Sequence, residues 1–261
     1  MQWSSFIAVG DSFTEGLSDG PGSDGHYRGW ADRVAWSLGL RDPQLRYANL
    51  AVRGKLLQEI VDVQLIAALA KQPALLTFHA GGNDILRPSA DLASVARRYD
   101  RAVERAVADA GTAVIFTVLE RSGASGTTAD RLAARISGFN DDVRATAARH
   151  GATLVDLASI TALHDRRFWH ADRLHLSPDG HARVAAAVLD ALGAPDQPPA
   201  GLGPMWWRSP LTELPPSSRA ARLSGDLRWA KQHLAPWVGR RLRRVSSGDG
   251  MSAKRPRLAR P

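Results

Sequence analysis

Short apolar runs alternate with helical stripes along the first 192 residues. Ser5-Phe6-Ile7-Ala8-Val9 is almost wholly apolar and stops at Gly10, as a buried strand does. Residues 29–40 place Trp30, Val34 and Leu38 near a 3.6-residue period and predict a helix. Residues 45–52 read as a second strand. Residues 56–70 read as a helix with Leu56, Ile60, Val63 and Ala67 on one face, and residues 74–78 as a third strand. A long Arg/Ala/Asp-rich helix over 90–110, a β-branched strand over 113–119, a helix over 127–150 and a short strand over 153–157 continue the alternation. A last helix covers 177–192, with Ser177 as N-cap and Pro178 at its first position. Apolar strands separated by helices predict an α/β domain whose parallel sheet is covered on both faces. Such sheets gather their reactive residues at the carboxyl ends of the strands.

The pattern changes at Pro195. Residues 194–201, Ala-Pro-Asp-Gln-Pro-Pro-Ala-Gly, have the composition of a linker. Beyond them lie four of the eight tryptophans, Trp206, Trp207, Trp229 and Trp237. Leu223, Leu227, Ala230, Leu234 and Val238 then recur at helical spacing among basic residues, with Pro236 placed to kink or divide that helix. The chain thus divides into an α/β domain over 1–194, a linker and Trp/Arg-rich helical extension over 195–245, and a polar, basic tail over 246–261 expected to be disordered.

Composition narrows the classes. A chain of 261 residues that is 44% hydrophobic can bury a sizeable core, which excludes a wholly disordered protein. No apolar run approaches the roughly 18 residues of a membrane span. The absence of cysteine removes disulfides, zinc–thiolate sites and a cysteine nucleophile together. The net charge of +8 suggests nucleic acid until it is located. Residues 201–261 hold 13 of the 34 basic residues and 3 of the 26 acidic ones, a net of +10, and leave the first 200 residues at −2. The basicity belongs to the extension. It fits a helix packing Trp206, Trp207 and Trp229 back onto the domain, or an amphipathic contact of residues 206–245 with an anionic membrane surface. Nucleic acid is disfavoured, because no recognition motif accompanies the charge. Met1-Gln2-Trp3-Ser4-Ser5 has neither the basic nor the apolar region of a signal peptide, so a cytoplasmic location, with peripheral membrane contact as an option, is the expectation.

The first strand ends in Gly10-Asp11-Ser12-Phe13-Thr14-Glu15-Gly16. A serine between a strand and a helix has an exposed hydroxyl and an outward N–H, as an acyl-transfer nucleophile requires. It also fits a plain helix cap. Further blocks tip the balance: Asn49-Leu50-Ala51-Val52-Arg53-Gly54 after the second strand, Gly81-Gly82-Asn83-Asp84 after the third, and Asp172-Arg173-Leu174-His175 near the end of the domain. Gly54 can present a backbone N–H, Asn83 a side-chain N–H and Ser12 its own N–H, three donors for one oxyanion. His175 is then the general base for Ser12, and Asp172 can orient its imidazole.

These blocks, in this order, resemble the SGNH (GDSL-type) hydrolases over residues 6–185. The resemblance implies a flavodoxin-like three-layer α/β/α fold, here with a five-stranded parallel sheet, carrying a basic helical C-terminal extension that the resemblance does not cover. It implies a bacterial-type serine hydrolase without cofactor or metal: catalytic Ser12, Asp172 and His175, and an oxyanion hole of Ser12, Gly54 and Asn83. The expected reaction is cleavage of a small acyl ester with a short to medium chain, in the manner of an esterase or lipase. Deacetylation of a carbohydrate or small metabolite is the main alternative, thioester and lysophospholipid cleavage stay open, and a non-catalytic protein binding membrane or nucleic acid through its tail is the rival class. No Gly-x-Ser-x-Gly elbow is present, which disfavours the α/β-hydrolase turn.

Weaker signals are read structurally. Asp11 and Asp84 are expected to anchor their loops. His164, His170, His175 and His181 with Asp165, Asp172 and Asp179 lack zinc spacing. Residues 20–25 fit G-x-G-x-x-G but follow no strand, so a loop bordering the cleft is expected. Phe13, Leu86, Leu119, Glu120, His170 and Leu176 are expected pocket walls.

Overall fold

The computed structural model describes residues 3–22, 25–119, 126–213, 218–236, 239, 243 and 246–261. Five strands run parallel: β1 (Ser5–Val9), β2 (Arg46–Asn49), β3 (Leu75–Phe78), β4 (Ala113–Phe116) and β5 (Thr153–Val155). Their order β5-β4-β3-β1-β2 is the doubly wound order in which the chain reverses direction between β1 and β3. The helices are α1 (Ser12–Glu15), α2 (Gly29–Arg41), α3 (Leu57–Glu59), α4 (Ile66–Leu69), α5 (Gly82–Ile85), α6 (Leu92–Asp109), α7 (Thr127–His150), α8 (Pro178–Ala191) and α9 (Arg219–Trp229). Ser177 caps α8 by accepting the Gly180 N–H.

Alternate residues of the strands feed two cores. Phe6, Ala8, Tyr47 and Phe116 face α2 and α8, which pack on each other through residues such as Trp30, Val34, Val184 and Val188. Ile7, Val9, Phe78 and Ile115 face α6 and α7, with Tyr99, Val103, Phe139 and Val143 filling that side. This is the three-layer α/β/α arrangement expected from the alternation, with β1 and β3 at its centre.

Two expectations need correction. The helix between β2 and β3 does not bury the stripe Leu56, Ile60, Val63 and Ala67. A π-helical stretch, Ile60–Leu65, joins α3 to α4, and the buried face is Leu57, Ile60, Gln64, Leu65, Ala68 and Leu69, so of the expected stripe Ile60 is buried while Val63 and Ala67 are exposed. Gln64 belongs to this buried face, and its Oε1 accepts the Gly10 N–H at 2.8 Å.

The second correction concerns the tail. Residues 246–261 are ordered: β6 (Arg255–Ala259) pairs antiparallel with β2, Tyr47 opposite Ala259 and Asn49 opposite Arg255, and makes the sheet six-stranded. An edge strand needs only one bonded side, so Pro256 and the basic residues that read as a solvated tail are tolerated there. Lys254 drives its ammonium into the domain, onto the Asp32 carboxylate and the Tyr27 carbonyl (2.7 Å). Arg255 also reaches Asp32, at 3.3 Å.

The extension packs on the domain. Trp207 is buried, and Arg183 of α8 donates to the carbonyls of Trp206, Trp207 and Ser209 at 3.0, 2.8 and 2.8 Å. The helical stripe of the extension is α9 followed by a π-helical turn, Ala230–Leu234. Trp237 and Val238, at its expected end, lie outside the described residues. Among the described residues no helix is long and apolar enough to cross a membrane.

Candidate active site

Ser12 begins α1 directly beyond β1, at the reversal point of the sheet. Asp11 caps the turn, its Oδ1 accepting the Phe13 N–H at 3.0 Å. The Ser12 hydroxyl donates to His175 Nε2 at 3.0 Å, and His175 Nδ1–H donates to Asp172 Oδ2 at 2.7 Å. Asp172 Oδ1 accepts the N–H groups of Leu174 (2.9 Å) and His175 (3.0 Å). Burial acts to raise the Asp172 carboxyl, but the hydrogen bonds from the imidazole and from these two amides outweigh it and hold the group well below the ordinary carboxylate range. It is therefore an acceptor whenever His175 is functional.

The remaining sequence-predicted residues converge on the same corner. Gly81 has φ +95°, a left-handed conformation in which a Cβ would strike the Phe139 ring. That turn starts α5 and delivers Asn83 beside the nucleophile loop. Both amide protons of Asn83 are engaged, on Asp11 Oδ2 (3.1 Å) and the Lys55 carbonyl (3.0 Å). Asp84 Oδ2 accepts the Leu57 N–H at 2.9 Å, and burial pushes its carboxyl up. Gly54 adjoins Lys55 at φ +74°, covered by the turn that contains Ser246 and Gly248; a Cβ on it would run into the Ser246 hydroxyl. Glu15 holds this loop from below, accepting the Arg53 backbone N–H at 2.7 Å and pairing with its guanidinium.

A pocket of about 140 Å³ opens on Ser12, Asn83 and His175; Gly54 does not line it. Four of the expected walls, Phe13, Leu86, Leu119 and Leu176, line it. His170 instead stands beside Asp172, and Glu120 lies outside the described residues. Sequence reading missed Leu17, Val118, Leu132, Ile136 and Leu174, although Leu132 and Ile136 are four apart on a predicted helix, a signal of a shared face. It also missed His79, whose ring lies 4.4 Å from Phe13, and underused His181. His181 donates from Nε2 to the Leu17 carbonyl at 3.2 Å, and burial lowers its pKa to about 4.

A family model described as the GDSL-like lipase/acylhydrolase family matches residues 8–183. The chain belongs to that family. This GDSL-family chain is thus an ester hydrolase of the SGNH type, and it is similar in fold to several solved structures. LAE5, an α/β hydrolase from the metagenome of Lake Arreo, Spain, is 22% identical and superimposes with a TM-score of 0.60 over 74% of this chain and 96% of its own. The acetylxylan esterase Axe2 of Geobacillus stearothermophilus is 18% identical, with a TM-score of 0.59 over 72% and 94%. TesA is 22% identical, with a TM-score of 0.60 over 72% and 97%. No curated protein matches the chain in sequence.

Proposed function

We propose that this hydrolase cleaves small carboxylic esters of short to medium acyl chain through Ser12, His175 and Asp172. The observation that carries the reading is the unbroken chain of hydrogen bonds, 3.0 and 2.7 Å, from nucleophile to base to carboxylate. Structures of catalytic mutants of Axe2 replace one serine, one histidine and one aspartate, the aspartate three positions before the histidine, as Asp172 precedes His175 here. Ser12 Oγ attacks the acyl carbonyl while His175 Nε2 takes its proton. The charge on the carbonyl oxygen develops between the Ser12 N–H and the Asn83 amide, the two expected donors that line the pocket, whereas Gly54 does not line it. His175 returns the proton to the leaving alkoxide, then activates the water that releases the acid. The apolar walls contributed by Leu86, Leu119, Leu132 and Ile136 match an acyl chain better than a sugar ring, which asks for hydroxyl partners.

The test is hydrolysis of p-nitrophenyl acetate, butyrate and octanoate by wild type and Ser12→Ala. Turnover should be highest on butyrate or octanoate and fall to background in Ser12→Ala. Activity confined to acetylated sugars would replace this substrate reading with deacetylation. Equal rates for wild type and Ser12→Ala on every ester would sink the serine mechanism.

A further inference from the structure

Residues 201–261 lie beyond the matched family region, yet α9 from this extension contacts the loop that carries the triad carboxylate. Trp229 Nε1–H donates to the backbone carbonyl of Asp172 at 2.8 Å. The next residue, Arg173, sits at φ +59°, a left-handed conformation that side-chain-bearing residues seldom adopt. Its guanidinium is fixed twice: by an ion pair from Nη1 to Asp226 Oδ1 at 2.7 Å, and by the Trp229 ring, whose centroid is 4.8 Å away. Asp226 and Trp229 are three residues apart and therefore share one face of α9.

The turn at Arg173 lies inside the Asp172–His175 segment of the triad. With residue 173 turned back, Asp172 Oδ1 collects the N–H groups of Leu174 and His175 while Oδ2 meets the imidazole. We propose that Trp229 and Asp226 are positioning residues for catalysis: α9 clamps both sides of the Asp172–Arg173 peptide and so holds the Asp172 carboxylate on His175. The proposal rests on the triad reading above. It makes a segment outside the family-matched region part of the catalytic apparatus. The other charged or titratable groups facing Asp172 are Arg166, from the preceding turn, and His170, with His233 stacked edge-on to His170 from the π-helical turn after α9.

The experiment compares wild type, Trp229→Phe, Asp226→Asn and Asp172→Asn on p-nitrophenyl butyrate across pH. Trp229→Phe keeps a ring over Arg173 but deletes the donor. It should lower kcat by about tenfold with KM nearly unchanged. It should also move the acid limb of kcat/KM to lower pH, because a loosened carboxylate stabilises the imidazolium less. Asp226→Asn, at an exposed position, should do the same more weakly. In the Asp172→Asn background Trp229→Phe should have no further effect on kcat, since both act through one group. The proposal fails if Trp229→Phe leaves kcat and the acid limb unchanged, or if it lowers kcat as much with Asn at 172 as with Asp. The low-field proton resonance of His175 Nδ1–H separates the two levels of the argument without turnover. It should be present in wild type and weakened in Trp229→Phe. An unchanged resonance overturns the clamp, and its absence from wild type overturns the triad reading itself.

Discussion

In the resting site the Asn83 amide already donates to Asp11 Oδ2 and to the Lys55 carbonyl. On the proposed mechanism an oxyanion shares a proton with one of them, and the interaction strengthens only as charge develops. That is transition-state binding rather than substrate binding. Asn83→Ala should lower kcat by about 100- to 1,000-fold with little change in KM, measured as steady-state hydrolysis of p-nitrophenyl butyrate. A KM effect alone would show that Asn83 grips the ground state. His181 has a different consequence. It is buried neutral, with a folded pKa of about 4 against an ordinary value near 6.5. Between those values the unfolded chain binds the extra proton, so the stability carried by neutral His181 is complete above about pH 6.5 and is lost as pH falls toward 4. Melting temperatures at pH 7 and pH 5 should show a drop that is smaller in His181→Gln than in wild type. Ser12 and Asn83 were legible because each is a reactive residue type just past an apolar run, and His175 because an aspartate stands three positions before it. Trp229 was not, since its partner Asp172 lies 57 positions earlier and a Trp in a basic helix has many destinations.

The same contrast between local and distant information governs the elements. β1 and α7 match their sequence patterns from end to end, because their ends are set by residues directly next to them. Gly10 closes β1, and Gly151 closes α7 in a left-handed cap. The stripe expected over 56–70 missed because the buried face includes a polar residue, Gln64, that serves a neighbour. Gln64 Oε1 accepts the Gly10 N–H, a buried donor on the nucleophile loop 54 positions away. Gln64→Leu fits the apolar surroundings but leaves that donor unpaired, so it should cost about 1–3 kcal/mol in urea unfolding. A loss well below that range would mean that water or a shifted loop satisfies Gly10. The substitution should also lower kcat, because the Gly10 peptide leads directly into Asp11 and Ser12.

Across the whole molecule, the excess of positive charge in the last 61 residues read as a solvated appendage, and the structure uses part of it for closure. Lys254 is 5% exposed and Asp32 11%, and β6 then runs along the edge of β2. Burial pushes the Asp32 carboxyl up to about 6 even with Lys254 and Arg255 beside it. Desolvation thus offsets much of the attraction, which marks the pair as a device for register more than for stability. Where Lys254 sits decides which residues of β6 meet Tyr47 and Asn49, and how the turn holding Ser246 and Gly248 lies against Gly54. Lys254→Met should destabilise by less than the roughly 3–5 kcal/mol of a stranded charge, about 1–3 kcal/mol, because Arg255 stays 3.3 Å from the Asp32 carboxylate. The double variant Asp32→Asn/Lys254→Met should recover most of that in urea unfolding. If register is the function of the pair, the double variant should still lose activity, since the covering turn no longer fixes the Gly54 loop. Full recovery of both stability and kcat would mean that β6 finds its place without the buried charges.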